Sequence, residues 1–305
     1  TDCKVYRKAR RRDSPYCIHL EFDPERRGRV SKRKYSNYVS TKIAPYVYQV
    51  KKDECLTLPE KTYSTSRFDL PLHHHDLYEE IKDEFLNSEE FWDDRTGITI
   101  YRMLSALQRV ACGSEPTSKG LIDIYPSSCA NPRIQDLLLN IDRIPSDAKV
   151  IIWAKYTRCI NAINNVLSER YGDKNTAILN GSLTEQEKSE SIDKFRNGAR
   201  FLIANPSTGG IGLTLNEASY VIFYSQTFKY IERIQAEDRC HRIGQDKNVH
   251  YITIESDAGI DKMISSVISR RGDAVEEFKK EVDAIRQITD KKEAEEAIVK
   301  LREKL

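Results

Sequence analysis

Long apolar runs are missing from this 305-residue sequence. No stretch approaches the roughly 18 consecutive apolar residues of a membrane-spanning helix, and the first residues, TDCKVYRKARRR, lack the apolar core of a secretory signal. With 39% hydrophobic residues the chain can still bury a full core, and its length predicts roughly one to three domains. We therefore expect a globular protein inside a cell, with no membrane partner.

Patterns typical of metal sites and disulfides are also missing. The seven cysteines are an odd number and form neither a C-x-x-C pair nor a Cys/His group of zinc spacing. The run His73–His75 could bind a metal with a nearby cysteine or could be a solvated loop, and adjacent residues do not easily face one ion, which favours the loop. We expect no metal site, and reduced, mostly structural thiols at Cys3, Cys17, Cys55, Cys112, Cys129, Cys159 and Cys240.

A third absence concerns phosphate binding. The sequence has no Gly-Lys dipeptide, so these 305 residues hold no G-x-x-x-x-G-K-[ST] phosphate loop. The stretch KDEFL (Lys82–Leu86) is not the acidic box at a strand end that would hold magnesium.

Basic charge is concentrated at one end of the chain. Residues 1–52 contain 15 Lys and Arg against 5 Asp and Glu, a net charge of +10, whereas the whole chain carries +2 and the remainder therefore −8. Tyrosines interleave the basic clusters RKARRR and ERRGRVSKRK. This arm either contacts nucleic acid through its phosphates or is a solvated, disordered tail.

Short β-branched runs alternate with polar, helix-patterned segments between residues 130 and 255, which predicts an α/β domain with a parallel sheet. The helix LTEQEKSESIDKFRNG begins with a Thr184/Glu187 capping box and stops at Gly198. Helices are also predicted at His75–Leu86, at Tyr101–Gly113 and near the C-terminus, and Leu58–Leu72 is predicted to be extended. The predicted strands are Lys149–Ala154, Thr176–Leu179, Arg200–Ala204, Tyr220–Tyr224 and Val249–Ile254.

The stretch IQAEDRCHRIGQ (Ile234–Gln245) is the strongest candidate site. Gln235, Arg239 and Arg242 stand at i, i+4 and i+7, so one helix would place them on one face. Two arginine forks side by side suit phosphate oxygens. Alternatively, Glu237 and Asp238 neutralise them in a surface salt-bridge cluster.

Two turns after predicted strands could also approach an anion. ANPSTGGIGLTL (Ala204–Leu215) has three glycines and is expected to open a helix with Ser207 or Thr208 as N-cap. In LNGSL (Leu179–Leu183), Gly181 and Ser182 could hold a phosphate. Either turn could instead serve only to pack the chain tightly.

These segments, in their order, resemble the C-terminal motor lobe of Swi/Snf-family DNA-dependent ATPases, in helicase superfamily two. The resemblance covers Lys149–Ile264, and its most specific part is Q-A-E-D-R-x-H-R-I-G-Q. It implies a RecA-like parallel sheet with flanking helices, preceded by a helical insertion and followed by C-terminal bracing helices. The implied parts are a basic tail of the first lobe at 1–57, a linker and helical insertion at 58–130, the lobe at 131–255 and C-terminal helices at 256–305.

The resemblance also implies roles for single residues. Arg239 and Arg242 would be the arginine fingers that reach the γ-phosphate of ATP, assisted by Gln235, and Gly210 and Gly212 would couple the nucleotide to DNA. The positions implied to contact the DNA backbone, without sequence specificity, are Gly181, Ser182, Ser207, Thr208 and Lys155.

Two departures from the family pattern bear on these contacts. Asn205-Pro206-Ser207-Thr208 stands where many members have S-T-R-A, which removes an arginine, and Lys155 stands at a glutamine position. The NPSTGG loop is closer to viral, prophage or bacterial members, which would place the protein in the cytoplasm. A eukaryotic member would be nuclear.

With no phosphate loop of its own, the chain is expected to be half of a motor. ATP and Mg would then be bound together with a missing N-terminal RecA-like lobe, which holds the Mg, and the chain alone would not hydrolyse ATP. The alternative is a non-catalytic RecA-like module that binds nucleic acid.

Overall fold

The computed structural model describes residues 58–92, 96–208 and 213–305, together with Lys42. The basic arm lies outside the described residues, as does the predicted tail at 1–57 apart from Lys42, and the arm's contact with nucleic acid stays a prediction. The other proposed boundaries, at 130 and 255, also stay predictions. Residues 58–305 pack as one unit.

Short buried runs form the predicted parallel sheet. Its strand order is β1-β8-β7-β4-β6-β5, and every pair is parallel; β2 and β3 form a separate antiparallel hairpin. All five predicted strands are confirmed to within about two residues, and the extended segment after Leu58 supplies the edge strand β1. The strands are β1 Lys61–Phe68, β2 Ser114–Thr117, β3 Gly120–Asp123, β4 Val150–Trp153, β5 Thr176–Leu179, β6 Phe201–Ala204, β7 Tyr220–Phe223 and β8 Val249–Ser256.

Helices cover the sheet and form a further layer beside it. The predicted capping box is present, since Thr184 and Glu187 bond to each other's backbone N–H, and that helix ends before Gly198. Among the described helices none has the length and apolarity to cross a membrane. The helices are α1 Leu72–Asn87, α2 Thr96–Ala111, α3 Pro132–Asp142, α4 Thr157–Tyr171, α5 Glu185–Asn197, α6 Tyr230–Glu237, α7 Gly259–Ser269, α8 Ala274–Ile285 and α9 Lys291–Glu303.

Both faces of the sheet are buried, because successive side chains of a strand point to opposite faces. In β4, Val150 and Ile152 pack with residues of α3 and α4, whereas Ile151 and Trp153 pack with residues of α5 and α6. A third apolar cluster joins α1 and α2 to α7, α8 and α9. The helices that precede the sheet in sequence therefore share a core with those that follow it.

One buried ion pair ties the helical layer to the sheet. Arg133, with no solvent exposure, pairs with Asp261 and donates hydrogen bonds to the carbonyls of Ala111 (3.0 Å), Tyr224 (2.7 Å) and Ile254 (3.3 Å). Although burial opposes charge, the Asp261 carboxylate raises the pKa of Arg133. The guanidinium thus joins the end of α2 to β7, β8 and α7.

Candidate functional site

The loop residues predicted to contact DNA lie where parallel strands end. The carboxyl ends of β4, β5, β6 and β7 meet at one edge of the sheet, which is where open α/β sheets bind ligands. Backbone and side-chain bonds join the loops there. Asn205 N–H donates to the carbonyl of Leu179 (3.0 Å), and Lys155 N–H donates to Ser225 Oγ (2.9 Å).

Two of these loops use the same turn. Asn180 Oδ1 accepts from the backbone N–H of Ser182 (3.0 Å) and from its hydroxyl (2.6 Å), and Asn205 Oδ1 accepts from Ser207 in the same way (2.8 and 2.6 Å). The loops are adjacent, because a Cβ added to Gly181 would lie 3.8 Å from Thr208 Oγ1. The structure thus brings together Gly181, Ser182, Ser207 and Thr208, and it leaves the serine hydroxyls free to accept but not to donate.

The helix predicted to open with Ser207 or Thr208 stays a prediction, because residues 209–212 lie outside the described residues. Pro206 and Ser207 form a turn, and residues 213–215 have no regular structure. The side chain of Asn205 accepts from Ser207 N–H (2.8 Å), and Leu215 N–H is held by the carbonyl of Arg239 (2.9 Å). Gly210 and Gly212 lie outside the described residues.

The prediction that one helical face carries Gln235, Arg239 and Arg242 is wrong. Helix α6 ends at Glu237 and Asp238 is its C-cap, so both arginines lie in the turns that follow, while Gln235 is exposed on the helix. Gly244 has φ 92°, and a Cβ there would lie 2.6 Å from the Asn216 side chain. A left-handed glycine in close contact turns the chain where a helix would have continued.

Gln245 joins this turn to the residues that lead into β7. Its amide donates to the carbonyls of Asn216 (3.0 Å), Ala218 (2.9 Å) and Cys240 (3.3 Å). Together with the Leu215–Arg239 backbone bond, these contacts hold the arginine segment beside residues 213–218. The I-G-Q end of the motif therefore serves to place the arginines.

The two arginines present positive charge at the amino ends of the strands, because they lie beside residues 213–218, which lead into β7, and they precede β8. Arg242 is exposed, and its guanidinium lies 3.5 Å from Thr214 Oγ1. Within the described part of the chain Arg239 makes no side-chain hydrogen bond or ion pair. Burial, followed by repulsion from Arg242, lowers the pKa of Arg239, and Asp238 opposes this. An anion between the two guanidiniums would relieve the repulsion.

Glu237 does not neutralise these arginines. The residue is 3% exposed. Its carboxylate faces Arg233 and strand β1, where it accepts from Arg233 Nε (2.9 Å), Tyr63 Oη (2.8 Å) and Lys61 Nζ (3.4 Å). Asp238 lies 3.7 Å from Lys61 Nζ. Sequence reasoning missed Arg233, Tyr63 and Lys61, and only the i, i+4 spacing of Arg233 and Glu237 signalled one part of the cluster.

Lys155 lies apart from the loops' exposed atoms. Its Nζ is 2.9 Å from the centroid of the Phe228 ring and donates to Gln108 Oε1 (3.2 Å), with Tyr101 and Tyr156 beside it. Burial places the pKa of Lys155 well below its usual range. The backbone of Lys155, not its ammonium, contacts the neighbouring loops; its predicted contact with DNA remains a prediction.

The histidine run lies in a helix, not in the predicted loop. His74 is fully buried, facing Tyr125 Oη (2.6 Å) and the carbonyl of Val110, and His75 pairs with Asp257 (2.7 Å). In the residues that the structure describes, no group of three or more His, Cys, Asp or Glu side chains is arranged to hold a metal. Cys112, Cys129, Cys159 and Cys240 are free thiols.

Known proteins resemble this chain over most of its length. Residues 131–244 match the helicase conserved C-terminal domain. YwqA of Bacillus subtilis, whose name assigns it as an ATP-dependent helicase/translocase, is 27% identical over 235 residues, 75% of this chain and 25% of its own length. The chain spans about a quarter of the length of the curated relatives it matches.

Solved structures show the same fold. The C-terminal part of the Fun30 ATPase domain superimposes with TM-score 0.57 at 18% identity, covering 82% of this chain and all of that one. The Sulfolobus solfataricus SWI2/SNF2 ATPase core in complex with dsDNA does so at 0.57 and 19%, covering 85% and 55%. The chain therefore contains a helicase conserved C-terminal domain at residues 131–244, and its RecA-like α/β fold is that of the C-terminal lobe of Swi2/Snf2 ATPases.

Proposed function

We propose that this chain is the arginine-bearing half of an ATP-dependent DNA translocase of the Swi/Snf type. The observation that carries the proposal is Arg239, a half-buried guanidinium with no side-chain partner among the described residues, next to Arg242 on the segment that packs beside residues 213–218. Charge that develops on a γ-phosphoryl group during transfer is stabilised by such arginines. The relatives' names supply the reaction class.

The residues present fit the phosphates of ATP but not its metal. Arg239 and Arg242 would hold the γ-phosphate. Gln235, Gly210 and Gly212 would assist in binding ATP. The nearest carboxylates do not form a metal-binding group in the described chain, since Glu237 is committed to Arg233, Tyr63 and Lys61. Mg, which neutralises the phosphates when bound, would be held by an N-terminal RecA-like lobe that also carries the phosphate loop.

DNA would be contacted through its backbone. Gly181, Ser182, Ser207 and Thr208 share one surface, and glycine or small side chains allow close approach of a phosphate strand. Lys155 would contribute through its backbone bonds to the adjoining loops. The translocase would work in the cytoplasm of a bacterium or virus-infected cell, or in a eukaryotic nucleus.

The test compares two polypeptides. The purified 305-residue chain should show no appreciable ATPase, whereas the same chain joined to a phosphate-loop lobe should hydrolyse ATP when single-stranded, duplex or forked DNA is added. Arg242→Ala in the joined protein should lower kcat by about 10³-fold or more, because an arginine finger contributes about 10³ to 10⁵ to the rate.

Arg143→Ala is the matched control. Arg143 is an exposed arginine at the end of α3, which packs on the opposite face of the sheet from α6, and its loss should leave turnover unchanged. DNA-stimulated ATPase by the isolated chain would overturn the half-motor proposal. A joined protein that binds DNA but never turns over ATP would instead favour the non-catalytic binding module.

A further inference from the structure

A buried polar cluster surrounds Glu237, two residues before Arg239. Arg233 (6% exposed) donates to Glu237 Oε1 (2.9 Å), to Gln226 Oε1 (3.0 Å) and to Thr253 Oγ1 (3.3 Å), and it stacks on Phe223 at 3.3 Å. Every polar atom named here has a partner. Buried charges are costly unless they are fully hydrogen-bonded, so such a cluster fixes the arrangement of the groups that join it.

Glu237 is the member that controls the arginine turn. It is the last residue of α6, and its carbonyl accepts from the backbone N–H of Cys240 (3.1 Å) and His241 (3.2 Å) and from Tyr251 Oη (3.0 Å). Arg239 lies within the turn that these bonds close. The position of the Glu237 backbone therefore sets the starting point of the Arg239 side chain, which makes no bond of its own in the described chain.

The edge strand β1 holds Glu237 from a distant part of the chain. Tyr63, 174 residues earlier, donates to Glu237 Oε2 (2.8 Å), and Lys61 lies 3.4 Å from the same oxygen. Tyr63 also stacks on Tyr251 (5.2 Å between centroids), and the carbonyl of Pro59 lies 2.7 Å from His241 Nε2. Although 59% of Tyr63 is exposed, partial desolvation of its hydroxyl and the Glu237 carboxylate raise its pKa, so the hydroxyl stays a donor.

We propose that Tyr63 and Glu237 are positioning residues for ATP hydrolysis: Tyr63 holds the Glu237 carboxylate from β1, and Glu237 holds the turn that aims Arg239 at the transferring phosphate. This inference rests on the proposed function. It assigns β1, an edge strand that carries none of the predicted site residues, a role in the reaction. Misplacing a reacting group by about 1 Å can cost about 10²-fold in rate, so a small shift of this turn is enough.

The experiment uses the joined two-lobe protein with duplex DNA. Tyr63→Phe removes one hydroxyl and keeps the ring on Tyr251, so folding should be unaffected. We expect kcat to fall about five- to tenfold, with KM for ATP, the Kd for DNA and Tm unchanged, because a transition-state contact is weakened without a loss of ground-state binding. Glu237→Gln, which keeps the shape of the side chain but removes its charge, should lower kcat further.

Tyr171→Phe is the matched control. Its hydroxyl also donates to a carboxylate, Asp142 (3.4 Å), but Tyr171 belongs to α4, which packs on the opposite face of the sheet from α6, and kcat should stay at the wild-type value. In an Arg239→Lys background, Tyr63→Phe should have no further effect on single-turnover hydrolysis, because the two changes act through the same side chain.

The outcomes separate this inference from the proposed function. If Arg239→Lys lowers kcat while Tyr63→Phe and Glu237→Gln match the wild type, the positioning role is refuted and the proposed function stands. If the effects of Tyr63→Phe and Arg239→Lys multiply, the tyrosine acts elsewhere and the positioning role is again refuted. If Arg239→Lys and Arg242→Ala both leave turnover unchanged, the proposed function fails.

Discussion

At the scale of single residues, burial changes what an ordinary side chain does. His74 belongs to a histidine run that was predicted to be a solvated loop, yet it is fully buried in α1. The two ring contacts fit a neutral imidazole, in which Nε2–H donates to the carbonyl of Val110 and Nδ1 accepts from Tyr125. Burial lowers the pKa of His74, against the effect of the Val110 hydrogen bond.

This shift predicts a dependence of stability on pH. The unfolded chain takes up a proton at His74 near pH 6.5, which the folded chain takes up only at lower pH, so the free energy of unfolding should fall as the pH drops below about 6.5. One proton accounts for at most about 1.4 kcal/mol per pH unit. Urea unfolding of wild type and His74→Gln between about pH 7.5 and about pH 5 should show a smaller dependence of the unfolding free energy on pH in the variant.

Equal slopes for wild type and His74→Gln would show that His74 takes up its proton as readily in the folded chain as in the unfolded one.

At the scale of elements, local signals set helix starts, and contacts from elsewhere set some of their ends. Helix α5 begins at the predicted capping box because both reciprocal bonds lie within four residues of sequence, Thr184 N–H to Glu187 Oε2 (2.7 Å) and Glu187 N–H to Thr184 Oγ1 (3.3 Å). Helix α6 ends at Glu237 although its pattern continues. The carbonyls that Gln245 bonds, those of Asn216 and Ala218 among them, hold the later residues in a turn.

Loss of the α5 cap should be measurable by itself. Thr184→Ala removes the acceptor for Glu187 N–H, and we expect the free energy of unfolding to fall by about 1 kcal/mol. Ser189→Ala, an exposed change in the same helix, should stay within about 0.5 kcal/mol of the wild type. Equal effects in urea unfolding would show that helix propensity, not the cap, decides the stability at this end.

At the scale of the whole molecule, the packing unites segments that are far apart in sequence. Arg133 and Asp261, separated by 128 residues, join the layer of α1, α2 and the C-terminal helices to the sheet. The side chains of this pair are 0% and 6% exposed. Removing one partner would leave a buried charge without compensation.

Asp261→Ala should therefore lower the free energy of unfolding by about 3 to 5 kcal/mol. The control is the exposed pair Arg170–Asp142 (2.9 Å), where Asp142→Ala should cost less than about 1 kcal/mol. Urea unfolding measures both. A loss at Asp261 no larger than that at Asp142 would mean that the layers are held by apolar packing alone.

How far the candidate site follows from sequence depends on the range of the contacts. The loops at Gly181–Ser182 and Ser207–Thr208 were predicted because each follows a buried strand, and parallel strands necessarily bring such loops to one edge. The placement of Arg239 and Arg242 was predicted as a helical face and is instead a pair of turns. Nothing in the local pattern signals that Gly244 meets Asn216, or that Tyr63 meets Glu237.

The amino-acid sequence by itself determined the α/β class, five of the six strands of the parallel sheet, the α5 cap and the resemblance of the arginine motif, because periodicity, capping and motif spacing depend on neighbouring residues. Only the tertiary structure decided that β1 forms the edge of the sheet beside β8 and that the Lys155 ammonium lies over Phe228. It also decided that the Glu237 carboxylate accepts from Tyr63 of β1 and does not pair with Arg239 or Arg242. Those choices depend on contacts between residues far apart in the chain, whose energies exist only once the core has formed.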